Sequence, residues 1–263
     1  MLRFLPRTAR TSNGERLLNL RHLSLITLGL GLAFANGGCP GPAQVRPEIE
    51  KAANSALALS DALEELIAKG IDTEGDRDTA YDLVRKLPTE TAGDAFGRAA
   101  ITGRVAEKKG AMSLFSTDKS PTSLVAEAEE FALKSRDLDP SFRDGAATRM
   151  LGTLYVVAPA DMLKHGDSED GLSMLESLVK AKPDVAVNQL RLAEAYIALG
   201  DREPAHAPLC KSKAMRAKLR HDDQVLLDKL VVQISPLKCT EQQTAPAPVP
   251  APASTTPATS PAP

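Results

Sequence analysis

The sequence predicts an all-α chain built as an array of helical hairpins, and three observations carry that expectation. Apolar residues recur at spacings of three and four, and no stretch alternates with β-branched enrichment. Helix punctuation is frequent: Pro47, Thr89 before Glu90, Pro121, Pro140 and Pro183, with Gly70, Gly110 and Gly200 at helix ends. Finally, Gly166-Asp167 returns as Gly200-Asp201, a self-similarity at 34 residues.

Taken in order, the first helix spans 47 to 69, where Ile49, Ala53, Ala56, Ser60, Leu63 and Ile67 form one stripe between Pro47 and Gly70. A second covers 76 to 87. The third, 90 to 109, opens after Thr89 and closes at Gly110, and the fourth, 121 to 137, opens on Pro121 and stops before Pro140. Helices at 142 to 157, 169 to 181 and 184 to 199 follow, the last ending on Gly200. At the start of the second of these, Asp167, Glu169 and Asp170 beside His165 are explained by capping and by the helix dipole. The final two, 203 to 217 and 222 to 234, are joined by a short turn around Arg220 to Asp222.

Thirty-four residues is the length of a tetratricopeptide repeat, and the packing positions of that helix-turn-helix unit are present. Leu151-Gly152-x-x-Tyr155 recurs as Leu192-Ala193-x-x-Tyr196, with the small residue admitting the neighbouring helix and the Tyr filling the space between repeats. In the second helix of the first copy, Gly171, Leu175 and Leu178 take the packing places and Pro183 closes it. An earlier half-repeat carries Ala128, Ala132 and Ser135 before Asp139-Pro140. The two Tyr are 41 residues apart, so the segment Val156 to His165 holds seven extra residues, a loop inserted inside a repeat. Loops of this kind are tolerated on a surface and are also where binding residues gather.

The chain of 263 residues is 43% hydrophobic and 25% charged, which suits a folded chain with a sizeable core. A net charge of -2 and nine aromatic residues without Trp argue against nucleic-acid binding. Residues 1 to 38 carry Arg3, Arg7, Arg10, Arg16 and Arg21 ahead of an uncharged run, Leu23 to Ala35, and read as a secretory signal peptide. That run is shorter than the about 20 residues a membrane span needs. Two processing readings stand side by side. Ala33-Phe34-Ala35 fits ordinary export, whereas Asn36-Gly37-Gly38-Cys39 resembles a bacterial lipobox with Cys39 as the lipidated residue, although Asn36 stands where Leu is usual. Lipid on Cys39 leaves Cys210 and Cys239 as a disulfide pair, which accounts for the odd Cys count of an exported chain. Residues 39 to 46 then form a spacer, 47 to 239 the helical-repeat domain, clearest over 121 to 217, and 240 to 263 an Ala/Pro/Thr-rich disordered tail.

Ser135-Arg136-Asp137-Leu138-Asp139-Pro140, the stretch from Gly145 to Pro159, Gly166-Asp167, and the stretch from Asn188 to Gly200 together resemble the T component of tripartite ATP-independent periplasmic (TRAP) transporters. The likeness covers about residues 121 to 210 and includes the inserted Ala-Pro loop. It implies a helical, tetratricopeptide-like bacterial lipoprotein on the periplasmic side of the cell envelope, tethered by its lipid and associated with solute uptake.

Enzymatic chemistry finds little material here: four His, one inside the leader, and no Gly-rich phosphate loop, nucleophile elbow or Cys-x-x-Cys. The expectation is a non-catalytic protein with no cofactor. His206 and Cys210 lie four apart, with His221 nearby, but a zinc site usually takes four ligands and Cys210 has a disulfide to make. Stacked helical repeats instead offer a concave surface formed by their first helices. Mapping the repeat places Ala146, Arg149, Thr153 and Val156 in that groove from one copy, and Val187, Leu190, Glu194 and Ile197 from the next. Such a lining, mostly apolar with one Arg and one Glu, suits a helix or segment of a periplasmic solute-binding protein or other envelope protein, or a small lipophilic ligand with a polar end. A general tetratricopeptide-like scaffold for envelope complexes is the alternative, and the C-terminal helices packing into the groove would leave these side chains as core.

Overall fold

The computed structural model describes residues 45–109 and 120–239, and among them it contains ten α-helices and no strand. The leader at 1 to 38, Cys39 and the tail at 240 to 263 lie outside the described residues, as does all of the spacer but Val45 and Arg46. In chain order the helices are α1 (Pro47–Ala52), α2 (Ala56–Ala68), α3 (Glu74–Val84), α4 (Ala92–Lys109), α5 (Pro121–Leu138), α6 (Phe142–Val157), α7 (Ser168–Ala181), α8 (Ala186–Leu199), α9 (Arg202–Ala214) and α10 (His221–Gln233). Among the described residues no helix is long and apolar enough to cross a membrane.

Capping chemistry explains where these elements depart from the expected ones. The single helix expected over 47 to 69 is broken, because extended Ser55 turns its hydroxyl to accept the N–H of Ala58 and starts α2 afresh. Thr73 and Asp76 form a reciprocal capping box that begins α3 two residues early. For α4 the cap is Thr91, whose hydroxyl accepts the Asp94 N–H at 3.1 Å, rather than Thr89. Asp167 accepts the N–H groups of Glu169 and Asp170 at 2.9 and 3.0 Å and opens α7. In α6 the helical geometry begins late: Arg143, Asp144 and Gly145 all have positive φ, forming a left-handed turn ahead of Ala146. Left-handed residues with a Cβ cost about 1–2 kcal/mol each, and here both are tied down. Arg143 makes a two-pronged ion pair with Asp61 of α2 at 2.6 and 2.7 Å, and Lys182 holds Asp144 at 3.0 Å.

The closest pairings join α4 to α5, α6 to α7 and α8 to α9, while α2, α4, α6, α8 and α10 contact one another in that order as an inner row. The start of α10 also reaches α2, so the row returns upon itself. Between α6 and α7 the backbones approach at two glycines. A Cβ on Gly152 would lie 2.9 Å from the Gly171 carbonyl, and a Cβ on Gly171 would lie 2.7 Å from that of Gly152. The core is continuous in character but divided among clusters. Ile49, Leu59, Leu63, Leu66, Tyr81 and Ile101 fill the N-terminal part, Leu151 and Tyr155 the middle, and Leu190, Leu209, Leu227 and Ile234 the C-terminal part. Each such side chain contributes about 1.5–3 kcal/mol by leaving water.

The inserted segment after Val157 is folded onto α5. It makes a short 3-10 turn at Ala160–Met162, packs Leu163 beside Leu151 and Tyr155, and is pinned by the fully buried Glu129. Both carboxylate oxygens of Glu129 are used, accepting the backbone N–H groups of Lys164 and His165 at 2.9 and 2.8 Å. The Tyr155 hydroxyl donates to the same carboxylate, and burial together with that negative charge raises its pKa. Finally, Cys210 and Cys239 are joined by a disulfide with Cα atoms 5.6 Å apart, fastening the strap after α10 to α9.

Candidate binding site

Hydrophobic burial decides which faces of the inner row are available. Leu190 is fully buried, and Ala146 nearly so. Val187 and Ile197 pack with Leu190 against Leu209, Leu227 and Leu230, so the apolar stripe of α8 is covered by α9 and α10. Val156 packs against Leu175 and Leu192. Five of the eight expected groove positions, Ala146, Val156, Val187, Leu190 and Ile197, are therefore core or core-flanking, and an apolar groove lining is corrected. For Val187, Leu190 and Ile197 the physical reason is α10, whose apolar face needs burial and packs on this stripe, whereas Val156 is covered by α7 and α8. Arg149, Thr153 and Glu194 remain on the inner side.

What the inner row presents instead is a polar seam running across α2, α4, α6, α8 and the start of α10. Arg104 of α4 forks onto both oxygens of Glu64 of α2 at 2.7 and 2.9 Å, and Arg220 adds a third contact to Glu64 at 2.6 Å. Arg220 also reaches Asp222 at 2.9 Å, and Asp222 lies 3.5 Å from Arg104. Arg191 of α8 bridges Glu194 and Asp223, both at 2.8 Å. These pairs close the row electrostatically where α10 meets α2. Burial would raise the Glu64 carboxyl, but hydrogen bonds and charge from Arg104, then Arg220, outweigh it and hold it at about 2. Asp223 is raised, because burial outweighs the attraction of Arg191.

Arg149 is the exception in the seam. Its one hydrogen bond among the described residues runs from Nη1 to the Asn188 Oδ1 at 2.7 Å, a neutral acceptor, and no described carboxylate lies within 4.0 Å. Asn188 is itself fully buried, and its amide donates to the Asp144 carbonyl of the left-handed turn at 3.4 Å. Burial, reinforced by the like charge of Arg191, outweighs the attraction of Asp223 and Asp144 and pushes the Arg149 guanidinium down to about 10. The group stays protonated at neutral pH, but in a place that disfavours its charge. One turn along the same helix, Thr153 has a buried hydroxyl oxygen without a hydrogen-bond partner among the described residues.

Sequence reading reached Arg149, Thr153 and Glu194 but missed Glu64, Arg104, Asn188, Arg191, Arg220, Asp222 and Asp223. One signal was available: Arg149 and Arg191 stand 42 residues apart, close to the 41 that separate Leu151 from Leu192, so basic residues recur at nearly matching places of α6 and α8. His206 and Cys210 do not converge on a metal. Cys210 is in the disulfide, the His206 Nδ1 accepts the Lys238 N–H at 3.2 Å, and among the described residues no group of three or more potential ligands could hold a metal ion. No protein-family model matches the chain, and no curated protein matches it.

Proposed function

We propose that the protein is a non-catalytic, lipid-anchored component of the bacterial envelope, facing the periplasm and associated with TRAP-type solute uptake, and that it engages a periplasmic solute-binding protein through the inner helix row. Its architecture in this reading is tetratricopeptide-like: α6 with α7 and α8 with α9 are the repeat hairpins, α10 supplies the next first helix, and Gly152 against Gly171 is the close approach that the repeat demands. Support for the transport association comes from the residue likeness over about 121 to 210 and from the leader with Gly37-Gly38-Cys39.

Arg149 carries the binding role. Among the described residues this cation has no carboxylate in direct contact, and burial outweighs the attraction of Asp223 and Asp144; groups perturbed in this way gather at functional sites. A small lipophilic ligand fits the same place only if it presents its polar end to the seam. A general scaffold for envelope complexes is the second reading, and α10 favours it by leaving Val225 and Val232 exposed two turns apart on its outer side. Affinity purification of the full-length protein from detergent-solubilised envelopes separates the two. Recovery of a TRAP-type receptor with its permease supports uptake, whereas recovery of secretion or outer-membrane assembly proteins alone refutes it in favour of the scaffold.

A further inference from the structure

The inner helices all run in one direction. Gly97 and Arg104 of α4 stand against Ala56 and Glu64 of α2, and Phe96 and Gly103 of α4 stand against Phe142 and Met150 of α6. Asn188 of α8 meets Arg149 of α6, and Asp223 of α10 meets Arg191 of α8. The outer helix α9 runs the other way, since His206 reaches Lys238 past the end of α10 while Arg216 reaches Asp228 within it. One rim of the row therefore collects the C-terminal ends of α2, α6, α8 and α10. Each carries an exposed apolar side chain in or just past its last turn: Ile71, Val157, Leu199, and Val232, which is 76% exposed. Val45 joins them, because the neighbouring Arg46 donates to the Ile71 carbonyl at 2.8 Å and pairs with Asp76 at 2.9 Å. Five of the seven exposed large hydrophobic residues among the described residues thus share this rim. Of the other two, Val225 sits two turns before Val232, and Leu138 marks the opposite rim, where Ser135 near the end of α5 donates to the carbonyl of Ala92 at the start of α4.

Apolar side chains gathered at one end of a fold mark a surface that is covered in use. We propose that this rim lies on a zwitterionic bilayer, with Ile71, Val157, Leu199 and Val232 dipping into its headgroup layer. The proposal rests on the reading that Cys39 carries lipid. Cys39 is six positions ahead of Val45, so its lipid holds the chain entry within about 20 Å of the membrane surface. Arg46, fixed against Ile71, places that entry at the apolar rim rather than the other. Charge selects the lipid. Exposed acids outnumber exposed bases at this rim, because α3, α7 and α9 begin there with Glu74, Glu169, Asp170 and Glu203 in their first turns. An anionic membrane surface is repelled by that excess, whereas the ammonium of phosphatidylethanolamine is a counter-charge to it. The inner row then opens to the periplasm at its other rim, near Asn188, Arg191 and Asp223 in the first halves of α8 and α10.

The chain contains no Trp, so a single introduced Trp reports its own surroundings. Ile71→Trp, Leu199→Trp and Val232→Trp, with Leu138→Trp for the opposite rim, are isolated from detergent-solubilised envelopes. Each is reconstituted into vesicles of phosphatidylethanolamine and phosphatidylcholine with brominated acyl chains. Intact mass establishes the acyl group on Cys39, and Trp emission reads the rim. Emission from the three rim positions is expected to fall at least about twofold relative to unbrominated vesicles, as for side chains buried at the headgroup and acyl boundary, while Leu138→Trp is unchanged. Replacing phosphatidylcholine by phosphatidylglycerol should reduce the quenching. Melting temperatures should stay near that of the parent, since all four positions are exposed. Acylated protein without quenching at the rim, or with equal quenching at Leu138→Trp, overturns the proposal and leaves the lipid-anchor reading standing; protein without the acyl group overturns both. Quenching that grows with phosphatidylglycerol refutes the choice of lipid, and a sharp fall in melting temperature at all three rim positions shows a packed rim and also overturns the proposal.

Discussion

Glu64→Gln removes the carboxylate that joins α2 to both Arg104 of α4 and Arg220 at the start of α10. The Glu64 side chain is 15% exposed, so solvent screens these contacts little. Its pKa falls from an ordinary 4.5 to about 2 in the folded protein, a shift equivalent to about 3 kcal/mol. The sign follows from the direction. A carboxyl depressed on folding contributes its stability in full above about pH 4.5 and loses it as the pH falls towards 2. Arg104 and Arg220 are raised by the same contacts, but titrate too high to be seen in that window. Urea unfolding of parent and variant at a series of pH values isolates the effect, since the other carboxylates are common to both. At pH 7 the variant should be less stable by about 3 kcal/mol, and by pH 3 the gap should shrink to about 1 kcal/mol. A gap that stays constant from pH 7 to 3, or a variant as stable as the parent at pH 7, would refute the claim that Glu64 closes the helix row.

Three further substitutions probe separate parts of the fold. Gly152→Ala should destabilise by roughly 1–3 kcal/mol, because the new Cβ meets the Gly171 carbonyl and Leu175; Gly75→Ala, where the Cβ meets only Thr73 at 3.7 Å, should be neutral or stabilising by about 0.5–1 kcal/mol, and chemical denaturation compares them. Glu129→Gln turns an acceptor into a donor against a backbone N–H, costing about 1–3 kcal/mol, and amide exchange should show the loss concentrated at Lys164 and His165. Replacing both Cys210 and Cys239 with Ala opens a cross-link spanning 29 positions and should lower stability by about 3–4 kcal/mol, read as a urea midpoint shift that reducing agent reproduces in the parent.

Helix positions were legible because they depend on local signals. Apolar spacing and the punctuating Pro and Gly residues placed nine segments within a few residues of the helices found, and the one broken segment turned on Ser55, a cap whose hydroxyl bond is invisible in a stripe that continues through it. Gly152 and Gly171 could be read as packing residues because a repeat places them opposite each other. The groove was misjudged for a non-local reason. Val187, Leu190 and Ile197 look like a free apolar face until α10 is laid across them, and nothing in the 184 to 199 stretch says that a helix 30 residues later will do so. The seam was hidden similarly: Glu64 and Arg220 are separated by 156 residues and meet only once the row closes. The left-handed turn at Arg143 and Asp144 had no sequence signal in Gly145 alone, since its stability comes from Asp61 and Lys182.

The proposal that the inner row is the partner-binding face is tested most directly by hydrogen–deuterium exchange of the protein with and without a TRAP-type solute-binding protein from the same organism. Protection on binding is predicted in α6 and α8, over the turns that carry Arg149, Thr153, Asn188, Arg191 and Glu194. Protection confined to α5, α7 and α9, or none at a receptor concentration where co-purification occurs, would contradict it.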